Sequence, residues 1–138
     1  MIGVLHTQGD CAEWAFPADP MAVRRARAAV RAQLAAWELE ALSDVTVLLV
    51  SELVTNSLRY ASGPIDVRLV RPAGPRGALR VEVSDPLPDP PRMCAAHPDD
   101  EGGRGLQLVA GASRRWGIGP GGAGGAGKTV WFELALPG

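Results

Sequence analysis

Apolar and polar positions follow two different rhythms along this chain. Between Asp19 and Trp37, Val23, Ala26, Val30, Leu34 and Trp37 recur at helical spacing. Asp19 is placed to cap this helix, and Pro20 suits its first turn. A second helix is predicted from Ser43 or Asp44 to about Ala61, where Ser62-Gly63-Pro64 breaks it. Alternation with a period of two appears weakly in 12–16 and clearly in 65–70, 79–84 and 129–136, and a further strand is read at 113–118. The turn residues 72–77 between two alternating runs predict an antiparallel hairpin. A short helix opened by glycines is expected over Leu106–Gly111.

Helices early and strands mostly later predict an α+β two-layer sandwich, with helices on one face of a mixed, mostly antiparallel sheet. With 138 residues and no repeat or internal boundary, residues 1–138 read as one domain. The Pro-rich, acidic stretch from about 86 to 103 is too long for a simple connection. The segment 120–127 is nearly all Gly, Ala and Pro and reads as a flexible turn.

Composition narrows the function classes. Fourteen basic against 15 acidic residues, a formal net charge of -1, argue against a non-specific nucleic-acid binder. Cys11 and Cys94 show no metal spacing and read as reduced thiols of a cytoplasmic protein. No continuous apolar run reaches the roughly 18 residues of a membrane span, and Met1–Asp10 lacks the pattern of a secretory signal.

Three places carry candidate chemistry. The second helix has a wide apolar arc at about 100° per residue, and Glu52 and Asn56 fall inside it, bracketed by Val45, Leu48 and Leu49. The two polar residues are one turn apart on one face. A carboxylate there needs a hydrogen-bonded, wet or metal-bearing cavity; the plain alternative is an Asn–Glu hydrogen bond at the edge of the core. Asp85 ends a strand just before Pro86, a position suited to a ligand and equally to an ordinary Asp-Pro turn. In 101–109, glycines ahead of a helix give backbone amides access to phosphate, helped by the helix dipole and by Arg104; the alternative is a plain linker. No Gly-Lys-Ser/Thr follows, so this is not a P-loop. No βαβ unit frames it, so it is not a dinucleotide fingerprint.

Taken together, these segments resemble the GHKL ATPases, the superfamily of gyrase B, heat-shock chaperones and sensor histidine kinases. Ser51-Glu52-Leu53-Val54-Thr55-Asn56-Ser57-Leu58-Arg59-Tyr60 is similar to its N box, in the form of the anti-sigma-factor serine/threonine kinases. Val83-Ser84-Asp85-Pro86 resembles the G1 box and Gly103-Arg104-Gly105-Leu106-Gln107-Leu108-Val109 the G2 box. Arg115-Trp116-Gly117 and Gly127-Lys128-Thr129-Val130-Trp131 resemble the C-terminal pattern of that branch. The resemblance implies the Bergerat sandwich, with ATP and Mg2+ bound under a lid of about 86–103. It implies Asn56 as the Mg2+ ligand and Glu52 as general base. Asp85 is implied to accept a hydrogen bond from the adenine amino group, with the Thr129 hydroxyl in support. Arg59, Gly103, Arg104, Gly105 and Leu106 are implied around the nucleotide.

The pattern is not complete. Leu87 and Asp89 replace the two glycines usual after the G1 aspartate, and Tyr60 stands where many members carry histidine. Two functions therefore stay open. One is a protein serine/threonine kinase that phosphorylates an anti-sigma-factor antagonist, binds a sigma factor and forms a homodimer. The other is a non-catalytic nucleotide-sensing module. Neither implies direct contact with nucleic acid or membrane. Arg24, Arg27 and Arg31 form one stripe on the first helix, either a solvated face or the docking face for an acidic protein partner.

Overall fold

The computed structural model describes residues 3–8, 11–60, 63–72, 77–86, 101–120 and 127–136. Six strands form one sheet: β1 (Gly3–Gln8), β2 (Cys11–Phe16), β3 (Ile65–Val70), β4 (Ala78–Asp85), β5 (Arg115–Pro120) and β6 (Lys128–Ala135). Their order is β1-β2-β3-β4-β6-β5. The sheet expected to be mixed is antiparallel at every described pairing. β1 was not foreseen. The hairpin of β3 and β4 forms as its turn residues predicted, with Val67 opposite Val83.

Three helices pack against this sheet: α1 (Ala22–Ala36), α2 (Ser43–Tyr60) and α3 (Glu101–Ala112). α2 lies centrally, touching α1, α3 and β4. The α1 entry differs slightly from expectation. Met21, not Asp19, is the residue that precedes the helix, and no side chain caps the first turn; Asp19, two residues earlier, accepts the Met21 N–H at Oδ1 at 2.8 Å and so shapes the approach to the helix. The larger difference is in α3, which begins at Glu101 rather than Leu106. Gly102, Gly103 and Gly105 are helical despite the low helix propensity of glycine.

Every second residue of β2, β3, β4 and β6 is buried: Trp14 and Phe16, Val67 and Leu69, Val81 and Val83, Phe132 and Leu134. They meet Ala26, Val30 and Leu34 of α1 and Val50, Leu53 and Val54 of α2 in one core. This is the two-layer α+β sandwich, produced by period-two strands facing period-3.6 helices. By length and composition, Glu40–Arg59 is apolar enough to cross a membrane, although no unbroken apolar run predicted that; many of its side chains are in the core. Leu48 is an exception within the expected apolar arc, 47% exposed.

The opposite face of the sheet carries charge. Arg68, Glu82, Arg80, Glu133 and Arg115 form a chain of ion pairs across β3, β4, β6 and β5. Within it the Arg80 guanidinium lies 4.2 Å from the centre of the Trp131 ring. Gly117 sits directly opposite Trp131. A Cβ at Gly117 would come within 2.7 Å of the indole, so this strand position admits the ring because it lacks a side chain.

Candidate functional site

Glu52 and Asn56 lie one turn apart on α2, and both are half-buried, between the buried core side of the helix and the exposed Leu48. The alternative of a Glu–Asn hydrogen bond is not realised. Asn56 Oδ1 is buried and has no hydrogen-bond partner among the described residues. Thr46 Oγ1 is in the same condition, but on the core side of the helix. An amide oxygen left without a donor is the type of ligand a hard divalent cation takes, so Asn56 fits the role that the N-box resemblance implies.

α3 crosses α2 at Glu52. A Cβ on the buried Gly105 would stand 3.5 Å from Glu52 Cβ and 3.7 Å from its carbonyl oxygen, an ordinary contact. The G2 segment is thereby brought beside the N box, with Leu106 fixed in the core. Gly103 and Arg104 lie in the first turn of α3, where backbone N–H groups have no intrahelical acceptor. The Arg104 side chain is outside the described part of the structure, as are Tyr60's side chain and residues 87–100, which hold most of the expected lid with Leu87 and Asp89. Arg59 is exposed in the last turn of α2, three residues past Asn56.

Asp85 forms the floor of the site. It is 5% exposed at the end of β4, beneath α2. The Ser57 hydroxyl donates to Oδ2 at 2.6 Å, and the Lys128 ammonium donates to Oδ1 and Oδ2 at 2.9 and 3.0 Å. Asp85 and Lys128 are directly opposite in the β4–β6 register, so their side chains share the helix-covered face. Gly127, with φ of 87°, precedes Lys128; a Cβ there would overlap the Asp85 carbonyl oxygen and crowd Pro86. Only glycine fits this approach.

Thr129 is elsewhere. Its hydroxyl is hydrogen-bonded to the Ser84 hydroxyl at 2.7 Å, and Ser84 faces away from the helices. The expected support of a base by Thr129 is therefore corrected: the residue facing Asp85 from β6 is Lys128. Sequence reading missed Lys128 and Ser57. Strand parity holds the signal for the first, because Lys128 is in phase with Val130, Phe132 and Leu134 of the core face. The signal for the second is helical spacing: Ser57 lies four residues past Leu53, on the side of α2 that meets the sheet.

The described residues thus bring Glu52, Asn56, Gly105 and Asp85 around one edge of α2 and leave Thr129 on the other face of the sheet. No curated protein matches the chain. A family model described as histidine kinase-like ATPase domain matches residues 16–133, from the end of β2 through most of β6. With that match across most of its 138 residues, the chain belongs to the histidine kinase-like ATPase domain family, within the GHKL superfamily.

Proposed function

We propose that this protein is an ATP-binding regulator that acts as a serine/threonine kinase on an anti-sigma-factor antagonist in the cytoplasm. The observation that carries the nucleotide reading is Asn56 Oδ1, buried and without a partner one turn after Glu52. Asn56 would hold Mg2+, which supplies charge neutralisation to the phosphates when bound. Glu52 makes no hydrogen bond among the described residues, which leaves its carboxylate to take the proton of an attacking hydroxyl. The first turn of α3 offers backbone N–H groups to phosphate. Asp85, held by Ser57, would accept the amino group of adenine.

The partner side of the reading rests on α1. Arg24, Arg27 and Arg31 are exposed along it, although Arg31 already meets Asp44 at 3.3 Å. Such a row suits an acidic protein surface, an antagonist, a sigma factor or a second copy of the chain. A second reading, a nucleotide sensor without phosphotransfer, is favoured by Leu87 and Asp89 in place of the G1 glycines.

Calorimetric titration of ATP tests the first claim. Asn56→Ala should weaken binding with Mg2+ far more than binding without it; equal losses would remove Asn56 from the metal site. Labelled ATP with a candidate antagonist separates kinase from sensor. Transfer by the native chain, reduced roughly 10²–10⁴-fold in Glu52→Gln with ATP binding kept, is the expected result. Binding without any transfer would establish the sensor instead.

A further inference from the structure

Lys128 is the only lysine in the chain; apart from two histidines, every other basic residue is arginine. It occupies the most buried charged pair described, with side chains 10% and 2% exposed for Lys128 and Asp85. Its ammonium reaches both carboxylate oxygens, and Oδ2 also takes the Ser57 hydroxyl. Both atoms able to accept a base amino group therefore already hold donors from the protein itself.

We propose that Lys128 is an internal competitor for the bound base: it holds Asp85 in the unliganded chain and yields the carboxylate when an amino-bearing purine enters, thereby setting the nucleotide affinity. The inference rests on the reading of Asp85 as the base-binding residue. A lysine suits this role because its ammonium is a compact point charge on a flexible four-carbon stem, able to withdraw without a fixed fork to break. The register does not rest on this pair alone, since β4 and β6 are paired at every position from Ser84 and Thr129 to Ala78 and Ala135. A ligand that must first displace a bound group sees only the fraction of molecules in which that group is away, and its apparent affinity falls by that fraction.

Lys128→Met tests this by two measurements whose signs differ. Without ligand the variant should melt lower by roughly 10 °C, because a buried carboxylate loses its counter-ion. ATP in Mg2+ should nevertheless bind about tenfold tighter, because the base then supplies the missing donor and displaces nothing. A purely structural lysine would lower both quantities, and unchanged or weaker ATP binding overturns the inference. If the variant does not fold, the native chain gives the answer, since a single lysine yields a single side-chain ammonium resonance after 15N-lysine labelling. Saturating adenosine, which carries no phosphate, should move that resonance as ATP does; a resonance unmoved by bound adenosine overturns the inference. A native chain that binds neither ATP nor adenosine would instead remove the reading of Asp85, and the competitor with it.

Discussion

Strands β4 and β6 carry two ion pairs in directly opposed positions, Asp85–Lys128 on the helix-covered face and Arg80–Glu133 on the open face. Both pairs belong to one unbroken register, five steps apart, and so lie on opposite faces of the sheet with different surroundings. Lys128 and Asp85 meet at 2.9 Å in the core, and the lysine reaches both carboxylate oxygens. Arg80 and Glu133 meet at 3.3 Å with Arg80 about one-third exposed, and both also pair with other residues, Glu82 and Arg115. A buried charge stripped of its partner keeps its desolvation penalty, whereas a member of a wet lattice finds water or a neighbour. One register thus produces a local point of high consequence and a distributed surface of low consequence.

Breaking each pair should show the asymmetry. Asp85→Ala leaves the Lys128 ammonium buried and should cost about 3–5 kcal/mol, besides abolishing base recognition. Urea denaturation of the unliganded variant measures the first effect and an ATP titration the second. Gly117→Ala probes the open face through packing rather than charge. Its new methyl meets the Trp131 indole, and about 1–3 kcal/mol of destabilisation is expected in the same assay. Arg80→Ala removes two ion pairs and the stack on Trp131, yet a loss of about 1 kcal/mol is expected, since each contact is partly solvated. A loss for Arg80→Ala equal to that for Asp85→Ala would abolish the distinction between the faces.

The smallest effect comes from Asp66, on the open face, whose carboxyl is held above the usual carboxylate range by burial and then by Glu13. The folded chain therefore favours its protonated form. That contribution is fully present below the unfolded pKa and is lost as pH rises through the higher folded value. At neutral pH the charged form is a small liability, and Asp66→Asn should melt higher by about 1–2 °C. The advantage should disappear below about pH 4, where both states are protonated. A variant with no advantage at pH 7 would mean that the open face solvates Asp66 fully.

The sequence was most legible where periodicity and turn chemistry agree. Ile65–Val70 matches β3, and the second helix ends at Tyr60, just before Gly63-Pro64. Glu52 and Asn56 stood out because two polar residues interrupt an apolar arc, and their half-buried position in the structure accounts for that. α3 starts earlier than the spacing predicts because glycine usually marks a loop; here Gly102, Gly103 and Gly105 lie inside the helix, and Gly105 packs on Glu52 at ordinary contact distance. Leu48 was assigned to the core because spacing gives a direction and cannot tell what lies there. Thr129 and Lys128 were exchanged by a single step along β6, which in a strand moves a side chain to the opposite face. A motif letter could be matched there, but a face could only be found by counting from Phe132.

Gly117 and Trp131 face each other across β5 and β6 with no room for a methyl between them. Their histories should therefore be linked. A lineage that replaces Gly117 with a larger residue should already carry a smaller one at 131, and a lineage that keeps the indole should keep the glycine. The two sites ought to vary as one heritable unit among homologues, although neither belongs to the nucleotide site. Their joint preservation would record the shape of the open face and not the chemistry opposite it.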